Sequence, residues 1–142
     1  MADRLTQAQR SALMSRVRTR DTSAEMYVRQ RVWRSGFRYR LAVKSLSGRP
    51  DMVLPRFRTA VFVHGCFWHG HDCPKGRRPS SNRDFWNRKL DGNIERDKRS
   101  VDRLEADGWS VSVIWECELK SGTEQLLTKL GSQRREQGSE AA

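Results

Sequence analysis

The sequence contains no apolar stretch approaching the ~20 residues that a membrane-spanning helix requires. No apolar core of signal-peptide type follows Met1-Ala2-Asp3-Arg4, so the expected compartment is the cytoplasm. Cysteine is scarce, and its three residues are an odd number. Together with a reducing cytosol this argues against a disulfide framework, and free or metal-bound thiols are expected. Acidic residues are in deficit, with 17 Asp and Glu against 28 Lys and Arg, for a net charge of +11. The excess is uneven: 11 basic and 3 acidic residues in 1–44, 12 and 6 in 45–99, but 5 and 8 in 100–142. A polyanion is the natural partner of the first 99 residues, although charge alone does not choose between DNA, RNA and an acidic membrane.

A chain of 142 residues fits one modest core, to which five Trp and five Phe can contribute. Thr6-Gln7-Ala8-Gln9 and Thr22-Ser23-Ala24-Glu25 read as capping boxes. They predict helices over about 8–18 and 23–35, the second stopped by Gly36. The first is rich in arginine and reads either as an arm that orders on a partner or as a surface helix. Phe37, Tyr39, Leu41 and Val43 alternate with Arg38, Arg40, Ala42 and Lys44, the pattern of a half-buried strand. Short strands follow over Asp51–Leu54 and Thr59–His64, and then a long loop over 65–83. A third helix is predicted over about 85–106, where Leu90, Ile94, Val101 and Leu104 form a stripe that also includes Asp97. A strand over Trp109–Trp115 and a short helix at Leu126–Leu130 complete an α-α-β-β-β-α-β-α order. The expectation is an α/β fold, a mixed central sheet flanked by helices. Residues 1–20 read as an arm, 21–130 as the main domain and 131–142 as a disordered tail.

All three histidines fall between His64 and His71, together with Cys66 and Cys73. Thiolate and imidazole suit Zn²⁺, and Cys117, just beyond the last strand, can supply a fourth ligand. A closed Cys66, His71, Cys73, Cys117 set would make a structural site that staples the long loop; the alternative is reduced core cysteines with incidental histidines. His64 and His69 are left over, and a neutral imidazole is a suitable general base. Asp51 opens a strand after Gly48-Arg49-Pro50, and carboxylates there suit Mg²⁺. Asp97 on an apolar helix face is unusual, because a buried carboxylate needs a partner or a metal. Glu25 is either a capping residue or a functional one. Phe67, Trp68, Phe85 and Trp86 lie among Arg77, Arg78, Arg83, Arg88 and Lys89, a combination that suits stacking against bases.

Several motifs together resemble the very-short-patch repair (Vsr) endonucleases. They are Met14-Ser15-Arg16-Val17 with Thr19, Thr22-x-x-Glu25, Gly48-Arg49-Pro50-Asp51, Val61-Phe62-Val63-His64-Gly65-Cys66-Phe67-Trp68-His69, His71-x-Cys73-Pro74, Phe85-Trp86, Asn93-x-x-x-Asp97 and Trp115-Glu116-Cys117. The resemblance runs from about residue 6 to residue 120. It implies a restriction-endonuclease-like core that nicks duplex DNA 5′ of the mispaired T in T·G mismatches left by deaminated 5-methylcytosine. It further implies that Asp51 and the carbonyl of Val63 bind Mg²⁺. His69 would be the general base oriented by Glu25, while His64 and Asp97 would hold metal-bound waters. Cys66, His71, Cys73 and Cys117 would bind Zn²⁺. Phe67, Trp68 and Trp86 would enter the base stack from the major groove and Met14 from the minor groove. A monomer associated with the nucleoid through DNA, followed by other repair proteins, is the implied setting. Val63-His64-Gly65 stands where related nucleases carry an acidic-x-Lys pair, which leaves the base role to histidine. The competing expectations are an endonuclease of the same core with another site or lesion, and a zinc-stabilised DNA-binding module without catalysis.

Overall fold

The structure, a computed structural model, describes residues 22–141, with side chains up to residue 138. The expected helix over 8–18, the arm over 1–20 and Met14 lie outside the described residues.

Helix α1 spans Ser23–Arg34. Thr22 caps it, its hydroxyl oxygen accepting a hydrogen bond from Glu25 N at 3.2 Å. The chain leaves through Gly36 at φ +91°, with Phe37 N donating to Val32 O at 3.2 Å. Only a residue without Cβ takes this left-handed turn cheaply, and the turn drops Phe37 into the core. The strand expected over 37–43 is not formed. Arg40 makes a single bridge to Val53, and Ala42 turns to φ +56°, which ends any extension.

Strand β1 (Met52–Leu54) runs antiparallel to β2 (Thr59–His64), and β2 runs parallel to β3 (Ser110–Trp115). The sheet order is β1-β2-β3. Every residue of central β2 is buried, as its continuous apolar run requires. Alternation along β2 sorts two cores. Val61 and Val63 join Val28, Val32, Leu126 and Leu130 on one face. Ala60 and Phe62 join Leu104 on the other. The crossover from β2 to β3 passes through the cysteine–histidine loop and then helix α2 (Arg83–Ala106).

Helix α3 spans Leu119–Ala141, so the disordered tail expected from Gly131 onward is instead helical. A glycine inside a helix costs about 1 kcal/mol relative to alanine, which is why Gly131 reads as an end. Tertiary contacts offset that cost. Leu130 is fully buried, Arg134 donates to Ser35 O at 3.3 Å, and Gln137 exchanges two hydrogen bonds with Arg56 at 2.9 and 3.0 Å.

Candidate metal centre and active site

The sheet register explains the first cluster. His64 pairs with Trp115 at the ends of β2 and β3. Cys66 and Cys117 each lie two residues further on, so parallel strands deliver both to the same place. Tight turns complete the set: His71 N donates to Cys66 O and Cys73 N to His71 O, both at 2.9 Å. Gly76 is obligatory here, because a Cβ would lie 2.0 Å from His71 O. The donor atoms of Cys66, His71, Cys73 and Cys117 all fall within 4.8 Å of one another, with His71 Nδ1 3.4 Å from Cys117 Sγ. A tetrahedral zinc site with bonds near 2.3 Å has edges of roughly 3.8 Å, so these residues fit that ion with small adjustments. Burial pushes the Cys66 thiol up to about 12 and also raises Cys117. Burial acts on Cys73 the same way, but hydrogen bonds with His71 and Cys66 outweigh it and draw Cys73 down to about 7. Metal capture must displace these protons, so affinity should rise with pH.

The second cluster sits at the same strand end. Phe62 and His64 share a face of β2, and His64 is buried. Its ring lies flat on His69, with centroids 3.8 Å apart and planes 2° apart. Burial first, and neighbouring His69 second, lower the His64 pKa to about 4, so this imidazole is neutral near pH 7. His69 Nδ1 stands 2.6 Å from Asp97 Oδ2, from the middle of α2. The donor atoms of His64, His69 and Asp97 also lie within 4.8 Å of one another.

Asp51 reaches this strand end from the other face. Its Oδ2 accepts a hydrogen bond from Val63 N at 2.6 Å, one residue before His64. Burial raises the Asp51 carboxyl to about 7, aided by Glu25, and the Val63 N–H works against the rise. Glu25 is itself buried and bonds Arg29 at 3.0 Å. Two carboxyl groups packed together favour a shared cation, and oxygen donors of this kind suit Mg²⁺. Asp97 thus meets Nδ1 of His69, and Glu25 lies beside Asp51.

The aromatic residues gather beside these groups. Phe67, Trp68 and Trp86 are all partly exposed. Their centroids stand 5.0 Å apart for Phe67–Trp68, 5.4 Å for Phe67–Trp86 and 6.1 Å for Trp68–Trp86. Asn93 Nδ2 donates to Trp68 O at 2.9 Å, tying this loop to α2. Arg29 was not singled out along the chain, and Trp115 was read only as a strand and motif residue. Arg29 could have been found by its i, i+4 spacing from Glu25. Trp115 stacks on His71 at 4.1 Å and meets His64 edge-on at 5.1 Å, so one indole touches both clusters. Only strand register brings it there.

A family model described as DNA mismatch endonuclease Vsr matches residues 2–75. The chain belongs to the Vsr family of DNA mismatch endonucleases. It is 39% identical over 137 residues to the DNA mismatch endonuclease Vsr of Escherichia coli, covering 96% of this chain and 87% of that protein. It is 46% identical over 121 residues to the type II nicking enzyme V.NmeAIP of Neisseria meningitidis, covering 85% and 86%. The type II nicking enzyme V.XorIIP of Xanthomonas oryzae is 47% identical over 119 residues, covering 84% and 88%. As a Vsr-family protein the chain is a DNA-nicking nuclease. Among the described residues, no helix is long and apolar enough to cross a membrane.

Proposed function

We propose that this Vsr-family nuclease uses Mg²⁺ to nick one strand of duplex DNA just 5′ of the mispaired T in a T·G mismatch. The observation that carries the reading is the His69–Asp97 pair at 2.6 Å, located at the strand end that Asp51 also reaches. With Nδ1–H donated to Asp97, His69 Nε2 is left as the basic nitrogen. It accepts the proton of a water that attacks phosphorus. The Asp97 carboxylate fixes the tautomer and offsets the positive charge that then develops on the ring. His64, neutral and stacked on His69, limits the ring's rotation.

Asp51, with the backbone carbonyl of Val63, would hold Mg²⁺, and Glu25 would support it through Asp51. When bound, that ion neutralises charge gathering on the phosphate. Cys66, His71, Cys73 and Cys117 would hold a structural Zn²⁺ that stiffens the loop carrying Phe67, Trp68 and His69. Phe67, Trp68 and Trp86 then act as a wedge, since unstacking costs less beside a mispair than within matched pairs. The reading takes the fold as restriction-endonuclease-like, and the three-stranded mixed sheet with these residues at one strand end supports it. Both clusters are complete within one chain, in keeping with action as a monomer.

The test is end-labelled cleavage of duplexes carrying T·G or C·G at one position, with varied flanking bases, with and without Mg²⁺. Mg²⁺-dependent nicking confined to the T·G duplexes is expected. Equal nicking of matched duplexes, or nicking indifferent to Mg²⁺, overturns the proposal.

A further inference from the structure

Beside the His69–Asp97 pair lies an open cavity of about 440 Å³ that the chemistry above does not use. Its lining includes Arg49, from the turn before β1, and Arg96 and Ser100, from α2. Trp68 of the aromatic group and His69 border the same space. Two cations from separate elements therefore line the space that Trp68 and His69 also border.

Arg49 adopts φ +50°, a left-handed conformation that a residue with a Cβ rarely takes. The surrounding turn holds it there, with Arg49 N donating to Leu46 O at 3.2 Å. Its guanidinium is exposed and makes no hydrogen bond or ion pair among the described residues. Backbone strain with no internal partner is the kind of arrangement that persists where a side chain must meet a ligand. Arg96 is pre-set differently. It donates to Asn93 Oδ1 at 2.7 Å and to Gly92 O at 3.4 Å, which fixes the head of the side chain. The one carboxylate in the lining, Asp97, is turned onto His69.

A planar guanidinium matches the paired oxygens of a phosphodiester better than an ammonium does, and a hydroxyl such as that of Ser100 commonly adds to such contacts. We infer that Arg49 and Arg96 clamp the backbone phosphate next to the one that is cleaved, with Ser100 as a further donor. This rests on the reading of His69 as the base. The clamp registers the strand, so that insertion of the aromatic wedge presents the neighbouring phosphodiester to His69.

The experiment combines variants with charge-neutral substrates. Arg49→Gln, Arg96→Gln and Arg49→Lys are compared with the unaltered protein on T·G duplexes carrying single methylphosphonates at successive positions on either side of the cut. Binding is measured over a range of salt without added Mg²⁺, and nicking with it. On the unmodified duplex each Gln variant should bind roughly tenfold more weakly. Its slope of log affinity against log salt should fall by about one phosphate's worth. Arg49→Lys should keep that slope and lose part of the affinity. At one flanking position the methylphosphonate should weaken the unaltered protein by a similar factor and erase the difference between it and the Gln variants. If the losses add at every position, or if the salt slope of both Gln variants is unchanged, there is no clamp. Loss of nicking of the unmodified T·G duplex in His69→Gln, with binding retained, shows separately that the underlying reading holds. Arg96→Gln also removes a contact to Asn93, so Arg49→Gln gives the deciding result if the two variants differ.

Discussion

Asp97 Oδ2 lies 2.6 Å from His69 Nδ1, while the face of the same imidazole lies on His64 at 3.8 Å between centroids. One side chain sets the tautomer and the other sets the plane, so His69 has little orientational freedom left to lose when substrate binds.

Asp97→Asn keeps the shape of the contact and removes its charge. It should lower kcat for nicking by roughly 100-fold or more while leaving DNA affinity within about twofold. Single-turnover cleavage and a binding titration measure both quantities. An unchanged single-turnover rate would mean that Asp97 does not act through His69.

Asp51 predicts a pH-dependent stability. Its carboxyl is raised from an ordinary 3.8 to about 7 by burial and by Glu25, so the fold favours the neutral form. The associated stability is complete at low pH and is lost as pH rises through about 7. Without Mg²⁺, the Tm of the unaltered protein should therefore fall relative to that of Asp51→Asn between about pH 4 and about pH 7. Added Mg²⁺ should raise Tm more at the upper end, because it favours the ionised carboxylate, and should do little for the variant. Parallel Tm profiles for the two proteins would remove the raised carboxyl from the account. Asp51→Asn should also abolish nicking with DNA binding retained.

His64 has the opposite sign. Burial lowers its pKa from 6.5 to about 4, so its contribution is present above the ordinary value and is lost as pH falls through about 4. His64→Gln should lose less stability than the unaltered protein on acidification through that range. Chemical denaturation at a series of pH values reads this directly, and an equal or steeper loss in the variant contradicts it.

Cys117→Ser removes a donor from the group that also holds Cys66, His71 and Cys73. Zinc content should fall well below one equivalent, and stability should drop by several kcal/mol, roughly the scale of structural zinc sites. Metal analysis beside thermal melts decides the matter; a full equivalent of zinc in the variant would exclude Cys117 as a ligand.

Trp68→Ala should reduce the preference for a T·G over a matched duplex by about tenfold or more, given about 1–3 kcal/mol per stacked base. Competition binding with both duplexes measures the ratio. Equal weakening on the two duplexes would show that Trp68 packs the loop rather than probing the pair.

Much of this architecture was legible before any coordinates. The alternation in Ser110–Trp115, the apolar run in Thr59–His64 and the stripe around Leu90 and Leu104 produced the expected strands and helix. Burial is read from such short periods because a single face must be apolar whatever it packs against. The crowding of Cys66, His71 and Cys73 in one short stretch marked the candidate metal cluster. Where local signals competed with distant contacts, the reading failed. Gly131 reads as an end, yet Leu130, Arg134 and Gln137 are held by residues far away in the chain. The alternation of Phe37 and Tyr39 suggests a strand, yet both residues pack into the core without a continuous partner strand.

The identities of the reactive groups belong to the sequence alone: three histidines, three cysteines and an acidic residue at each of positions 25, 51 and 97. Their pairing belongs to the tertiary structure. Read along the chain, the family resemblance implies Glu25 as the partner of His69. Only the packing of α1 against one face of the sheet and α2 against the other puts Glu25 beside Asp51 and Asp97 on Nδ1 of the imidazole. Hydrogen bonds act over about 3 Å, and a distance that short between residues 28 positions apart is decided by how the elements stack, not by their order.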